Sequence, residues 1–525
     1  MANIKVKTIK DFIVEVEGAH DYVINEVVIF PNKEKGIIMK ADTKGATVAL
    51  FNLSITNPVQ VGDSVQATGK EFSFNLTEKQ MGNIINVNGD ILTDYNDPSI
   101  EKKDPIVKPV FRLARPIYSR DFVNEPLITG LSSVDWAIPI GKGQRELILG
   151  DRETGKTAIA LNMIMAQKST GVKVVYVAIG QKKTTILGIY KRIKEFGMEK
   201  QVVIVAASAD QTATKKWLAP YVGATISEFY QEKYGDDVLI IYDDLSKHAD
   251  AYRELSLLMK SAPAREAYPG DIFYLHSKLL ERAGKFTEEF GSGSITAIPI
   301  VQTEAGDLTS YIPTNVISIT DGQVFTNKQL FISGHRPAVD IAYSVSRVGS
   351  TAQTDALAEV SGGLKLLVSQ YNEAKKMARL SSSASEEHQD TIDKGRVLMA
   401  LLVQPELDVL DYETGALLLS LFKEGHLNFF GKTEEIILIR NILNEFMKND
   451  FLGKRLREVI RTKKVSEKQY SLYIHEIILP LIKYYLVEKY PHLKKEEKFI
   501  DLYKDVRDDG RVYRNLVRNI DQGGN

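Results

Sequence analysis

The chain has 525 residues, 44% of them hydrophobic and 26% charged, with a net charge of −1 and no cysteine. That length suits roughly two to four domains with sizeable cores. The composition excludes disulfides and thiolate metal centres, argues against a strongly basic nucleic-acid binder, and fits a reducing compartment.

The first ~70 residues read as short strands, such as Phe12-Ile13-Val14-Glu15-Val16 and Ala46-Thr47-Val48-Ala49-Leu50-Phe51. Turn chemistry at Pro31-Asn32 and Val61-Gly62-Asp63 separates them. Closure into a small β-barrel is the expected solution, because it hides the strand edges. Residues 91–117 lack periodicity and carry Asp97-Pro98, Asp104-Pro105, Lys108-Pro109 and Arg115-Pro116, so they read as a connector. From about 118 to 350, β-branched runs alternate with helical patterns. The runs lie at 146–149, 174–179, 202–205, 238–242 and 295–300. This is the signature of a mostly parallel sheet covered on both faces. After Ser350 the pattern is helical almost throughout, as at 434–447, with a short flexible loop expected at 381–385. In the tail, Phe499, Leu502, Tyr503 and Val506 recur at helical spacing among charges, which fits either a solvated tail or an extra helix that docks a partner.

The expected division is therefore an N-terminal β-barrel at 1–90 and a P-loop α/β nucleotide-binding domain with its connector at 91–355. A C-terminal α-helical domain follows at 356–490, and an extension at 491–525. Met1 precedes alternating polar residues, unlike the apolar core of a secretion signal. No apolar run reaches the ~18 residues of a membrane-spanning helix, and the most apolar late segment, 477–487, is broken by Lys483. Any membrane association is expected to come through partners.

The chemistry concentrates in Gly150-Asp151-Arg152-Glu153-Thr154-Gly155-Lys156-Thr157, followed by Ala158. This matches the phosphate-binding P-loop pattern. Its glycines let several backbone N–H groups converge on one anion, and the following helix offers its positive N-terminal end. Lys156 is placed to meet the terminal phosphates of ATP or ADP, and Thr157 to put a hydroxyl on Mg2+. A strand pattern precedes the loop and a helix pattern, 158–167, follows it. An acidic residue is expected at the end of a neighbouring apolar strand for the metal's water shell. Leu239-Ile240-Ile241-Tyr242-Asp243-Asp244 supplies it. Asp243 is the metal-site choice, and Asp244 suits a local hydrogen bond at the strand end or a helix N-cap.

A resemblance rests on the residues around these motifs. They are Val134-Asp135 and Pro139-Ile140-Gly141-Lys142-Gly143-Gln144-Arg145-Glu146, then Arg265-Glu266-Ala267-Tyr268-Pro269-Gly270-Asp271 and Leu279-Leu280-Glu281-Arg282. Tyr311-Ile312-Pro313-Thr314-Asn315-Val316-Ile317-Ser318-Ile319-Thr320-Asp321-Gly322-Gln323 and Ser344-Val345-Ser346-Arg347-Val348-Gly349 complete the set. The chain resembles the alpha subunits of F-type rotary ATP synthases, densely from about 115 to 353 and more weakly on both sides. Val61-Gly62-Asp63-Ser64-Val65-Gln66-Ala67-Thr68-Gly69 resembles the end of that family's barrel. The resemblance implies a RecA-like nucleotide domain and an alternating ring with catalytic beta-type subunits around a gamma-type shaft. It also implies stalk contacts through the barrel or tail, no nucleic acid, and a cytoplasmic position peripheral to the inner face of the membrane.

It further implies that this chain grips ATP without cleaving it. Hydrolysis needs a group that orients or deprotonates water. The family's beta subunit places a glutamate in a Gly-Glu-Arg motif for this; here the stretch is Ala178-Ile179-Gly180-Gln181-Lys182-Lys183. Arg347 matches the family's arginine finger, which reaches the neighbour's site. Arg336-Pro337 and Gln404, in Val403-Gln404-Pro405-Glu406, are the expected base pocket. Departures from the family are Glu153, where glutamine is common, Gln302, where an acidic residue is usual, Glu406, and the barrel exit Gly82-Asn83-Ile84-Ile85-Asn86. Two other readings are an F-type-derived motor repurposed for machinery such as gliding motility, and a hexameric nucleic-acid translocase of the Rho type. The latter predicts a basic, aromatic N-terminal surface, which the first 90 residues do not offer.

Overall fold

The computed structural model describes residues 4–95, 104–380, 386–428, 430, 432–462, 465–489 and 495. The expected loop at 381–385, Asp97-Pro98 of the connector, and the tail positions Phe499, Leu502, Tyr503 and Val506 lie outside the described residues. Two compact units share the chain, and neither is continuous in sequence. One is Met1–Val123 with Lys142–Gln323; the other is Asn124–Gly141 with Val324–Asn525. Helix α1 (Ser132–Asp135) belongs to the second unit, and β16 (Gly322–Thr326) spans the last boundary in sequence.

The first unit begins with β1 (Lys5–Lys10), β2 (Ile13–Glu17), β3 (Glu26–Ile29), β4 (Lys35–Ala41), β5 (Gly45–Leu50) and β6 (Gln66–Glu71). They form an antiparallel sheet in the order β1-β2-β5-β4-β3-β6. The residues just before β6 close it onto β1: Val65 N–H donates to Ile4 O and Val6 N–H to Asp63 O, both at 2.9 Å. Alternation puts Val14, Val28, Ile37 and Val48 inside at 0% exposure, which gives the closed barrel its core.

β7 (Ser73–Leu76), β8 (Ile84–Ile85) and β9 (Ile106–Pro109) lead into the nucleotide-binding fold. There β10 (Leu147–Gly150), β11 (Lys173–Gln181), β12 (Val202–Ser208), β13 (Asp237–Asp243) and β15 (Ser294–Gln302) run parallel in the order β10-β15-β13-β11-β12-β8. The short β14 (Gly284–Lys285) pairs antiparallel with β15. Val174 to Ile179 of β11 are each 0% exposed, as expected for a strand covered on both faces. The cover includes α2 (Lys156–Ala166), α3 (Lys183–Glu195), α4 (Ala213–Tyr234), α5 (Leu245–Leu258), α6 (Ile272–Leu280) and α7 (Tyr311–Ile319). The barrel's divergent exit residues, Ile84 and Ile85, extend this sheet at its far edge, opposite Ile204 and Val205.

The connector is more ordered than its lack of periodicity suggests. β9 pairs with β7, and three cations of this stretch converge on α4. Arg112 Nη1 lies 3.0 Å from Glu228 and 2.8 Å from Glu232, Arg115 Nη2 lies 2.6 Å from Glu232, and Lys108 pairs with Glu232. Burial raises the Glu232 carboxyl, but these partners outweigh it and hold the group down at about 2.

In the second unit α1 is joined, among the described residues, by α8 (Lys328–Ile332), β17 (Val345–Ser346), α9 (Asp355–Val360), α10 (Leu364–Leu380), α11 (Glu386–Leu401) and α12 (Tyr412–Lys423). Then follow α13 (Thr433–Asn449), α14 (Phe451–Thr462), α15 (Glu467–Tyr473) and α16 (Leu479–Lys489). Helix α12 is buried all round from Glu413 to Phe422, the pattern of a central helix. Its one buried charge, Glu413, is paired with Arg461 at 2.7 Å. Among the described residues no helix is long and apolar enough to cross a membrane.

Candidate functional site

The P-loop runs from the end of β10 to the start of α2. Gly155 stands at the helix N-cap with φ 87°, a conformation that side chains disfavour. The helix therefore opens directly at Lys156, with its first N–H groups free to face an anion. Arg152 and Glu153 are exposed at the tip of the loop, and Glu153 itself holds φ 60°. Asp151 braces the loop: its Oδ1 accepts from Thr303 Oγ1 at 2.7 Å and from Gly306 N at 2.8 Å, while its carbonyl accepts from Thr154 Oγ1 at 2.9 Å. Lys156 Nζ donates to the Gly150 carbonyl at 2.8 Å and to that of Asp151. Burial lowers the Lys156 ammonium to about 8, against the upward pull of Asp244, Asp243 and Asp151.

Asp243 is the hub of the polar cluster. It ends β13, is 3% exposed, and sits in register with Ala178 of β11. Its Oδ2 accepts from Thr157 Oγ1 at 3.1 Å and from the Tyr176 hydroxyl; its Oδ1 accepts from Gln181 Nε2 at 3.0 Å. Burial first, and Asp243 next to it, push the Tyr176 phenol well above its ordinary range, so Tyr176 acts as a donor. Asp244 behaves differently. Its carboxylate caps α5 by accepting from Lys247 N at 2.8 Å, and burial with the Asp243 charge raises its pKa to about 6. Gln302 ends β15 in register with Gly150, and its N–H donates to Ser246 Oγ at 2.9 Å.

Gln181 sits at the end of β11, just past Gly180, where an irregularity in the pairing with β12 ends the regular ladder. Its amide nitrogen is committed to Asp243. An amide there can orient a water but cannot take its proton at neutral pH.

The second unit holds the remaining predicted residues. Arg336 and Pro337 are joined by a cis peptide bond, and the Arg336 guanidinium lies over the Phe331 ring at 4.7 Å. The Arg336 carbonyl accepts from Gln404 N at 2.7 Å, so these residues do come together. The Gln404 side chain, however, is 2% exposed and engaged with backbone. Its Nε2 donates to Gly130 O and Asp408 O, both at 2.8 Å, and its Oε1 accepts from Ser132 N at 2.7 Å. That leaves its amide one acceptor lone pair and no free donor. Asp135 organises the same turn, accepting from Thr129 N and Oγ1 and from Gly130 N at 2.7–2.9 Å; burial outweighs these bonds and raises its carboxyl to about 6. Glu406 is exposed beside Leu407, whose φ is 65°. Arg347 is exposed and makes no ion pair or hydrogen bond with any described residue.

Three contributors to the site escape sequence reasoning: Tyr176, Thr303 and the side-chain role of Asp151. The one signal for Tyr176 is a hydroxyl inside an otherwise apolar run. Thr303 follows a strand end, where polar residues are ordinary.

Comparison with known proteins agrees with this geometry. Residues 130–346 match the family model "ATP synthase alpha/beta family, nucleotide-binding domain", and residues 353–479 match "ATP synthase alpha/beta chain, C terminal domain". The chain is 44% identical over 461 residues to ATP synthase subunit alpha of Mesoplasma florum, covering 88% of this chain and 86% of that one. It is 42% identical over 483 residues to the Mycoplasmopsis synoviae counterpart, with 91% and 89% covered. With that of Acholeplasma laidlawii it shares 41% over 465 residues, covering 88% and 91%. A nucleotide-binding P-loop fold matched through to its helical C-terminal domain, with relatives aligned along most of both sequences, places this chain in the family of ATP synthase alpha subunits.

Proposed function

We propose that this chain is the non-catalytic nucleotide-binding subunit of a hexameric F-type rotary ATPase, and that it lends Arg347 to the site of an adjacent catalytic beta-type subunit. The observation that carries the reading is Gln181, an amide tied to Asp243 at 3.0 Å at the position that the resemblance matches to the beta-type subunit's catalytic glutamate.

The residues fit a magnesium nucleotide. The N-terminus of α2 and Lys156 supply positive charge for phosphates, while Thr157 and Asp243, 3.1 Å apart, supply oxygen donors of the kind Mg2+ takes. Bound Mg2+ would neutralise phosphate charge. Lys156 exchanges its loop carbonyls for phosphate oxygens on binding. Asp243 orients the metal's water shell and is itself oriented by Tyr176 and Gln181. The family resemblance assigns Arg336 and Pro337 to base recognition, and the Gln404 amide, committed to backbone, shapes their loop.

An exposed arginine with no ion-pair or hydrogen-bond partner among the described residues has both forks available for a phosphate, which is the state of Arg347. Family membership supports assembly around a gamma-type shaft at the inner face of the membrane, and co-purification with a proton-channel sector is the expected result.

ATPase assays test this on the chain alone, on its complex with the catalytic partner, and on the complex carrying Arg347→Ala. We expect a negligible rate alone, a substantial rate together, and a loss on the order of 10³ for the variant with nucleotide binding to this chain intact. Rapid turnover by the isolated chain, or an unaffected Arg347→Ala complex, would overturn the reading.

A further inference from the structure

Far along the sequence from the P-loop, three metal-ligating side chains converge. The ligand atoms of Glu424, His426 and His475 all lie within 4.8 Å of one another. His426 Nε2 is 3.1 Å from Glu424 Oε2, and His475 Nε2 is 3.3 Å from the same oxygen. The two imidazoles meet edge to face, with centroids 5.2 Å apart.

The backbone fixes this arrangement from both sides. Helix α12 ends in a Schellman turn: Gly425, at φ 80°, donates to Phe422 O, and His426 N–H donates to Leu421 O, each at 3.0 Å. That turn sets Glu424 and His426 two residues apart on one side of the helix end. His475 comes from a π-helical turn, Ile474–Ile478, between α15 and α16. Single π turns are rare and recur at functional sites, because the extra residue re-aims one side chain while the apolar face stays packed. Here Ile474 and Ile478 remain at 0% exposure while His475 is turned outward.

The donor set is chemically selective. Two imidazole nitrogens and one carboxylate oxygen suit a late first-row divalent ion and suit Mg2+ or Ca2+ poorly. With metal–ligand bonds of about 2.0–2.1 Å, tetrahedral donors stand roughly 3.3 Å apart. Two of the three donor pairs already do.

We propose that Glu424, His426 and His475 bind a late first-row divalent cation of the Zn2+ type, with solvent in the remaining coordination position, and that the ion fastens the end of α12 to the α15–α16 segment.

The test is calorimetric titration of zinc chloride into the full-length protein, without nucleotide and with millimolar magnesium present to occupy oxygen-rich sites. Glu424→Gln and His475→Ala alter exposed side chains and serve as the variants. Uptake of one Zn2+ that magnesium does not displace is expected, with each variant weakening it at least ~10-fold. Co2+ in place of Zn2+ should give the visible absorption of nitrogen ligation in the wild type and lose it in His475→Ala. At saturating Zn2+ the unfolding temperature of the wild type should rise by roughly 5 °C, and that of the double variant should not. Equal uptake by wild type and double variant, displacement by magnesium, or a His475→Ala protein that is less stable without zinc while the wild type takes up none would each overturn the proposal.

Discussion

Removing either member of the buried pair Arg282–Glu228 should cost more than removing both. The side chains are 2% and 7% exposed and meet fork to fork, Nε to Oε1 at 2.7 Å and Nη2 to Oε2 at 2.9 Å. Arg282 also donates to Thr225 Oγ1 at 3.0 Å and Val110 O at 2.9 Å, which ties the end of α6 to α4 and the connector. Arg282→Met leaves a carboxylate in a dry site with only Arg112 beside it. Glu228→Leu leaves a guanidinium with no counter-charge. Each should cost about 3–5 kcal/mol. In the double variant the charges vanish together, and Arg112 keeps Glu232 at 2.8 Å. What remains is chiefly the Val110 carbonyl without its partner, worth about 1–3 kcal/mol. The double variant should therefore lose about 2 kcal/mol against a sum of singles of about 8. Urea unfolding reads this through Trp217, which lies on α4, in a Trp136→Phe background, since the protein has two tryptophans. A double variant that costs the full sum would show that the charges are solvated and the argument from burial wrong.

A second prediction concerns acid. His248 and His276 are wholly buried with rings 5.5 Å apart, and burial holds His248 well below its usual range and His276 at about 4. Folded values below the unfolded one mean full stabilisation above pH ~6.5 and progressive loss below it, so His276 alone should account for about 2 kcal/mol between pH 6.5 and 5. His276→Phe should remove that much of the slope, seen by Trp217; an unchanged slope would refute it. Tyr176→Phe, which deprives Asp243 of one hydroxyl donor, should cost about 1–2 kcal/mol and weaken magnesium-nucleotide binding severalfold; fluorescent-nucleotide titration would contradict this by showing no change. Lys156→Ala should abolish measurable ATP binding while leaving the fold intact by circular dichroism, because the ammonium is the one lysine charge placed inside the loop.

The strand, glycine turn and helix start of the P-loop were legible because their geometry is local: they are adjacent in sequence, and Asp243 ends the apolar run that becomes β13. Tyr176 was not legible, since its role depends on the register that sets β11 against β13, which no window of sequence contains. The connector failed for a similar reason: Lys108, Arg112 and Arg115 look like scattered surface cations until α4 brings Glu228 and Glu232 beneath them. Gln404 entered the expected base pocket through the family resemblance alone; in the fold three backbone partners claim its amide. Glu424 and His426 are separated from His475 by α13, α14 and α15 and lack metal-motif spacing, so only a folded turn could join them.

The interleaved division of the polypeptide has a cost during synthesis. Residues 124–141 leave the ribosome well before Gln404, which satisfies their backbone at Gly130 and Ser132, exists. For that interval of translation, 274 residues long by the spacing of Gly130 and Gln404, the turn at Gly130 and Ser132 lacks the side chain that completes it. A ribosome stalled before residue 400 should expose it to chaperones and proteases, and any fragment that starts after 141 should bear the converse wound permanently, with the Gln404 amide stripped of Gly130 and Ser132 and left with Asp408 O.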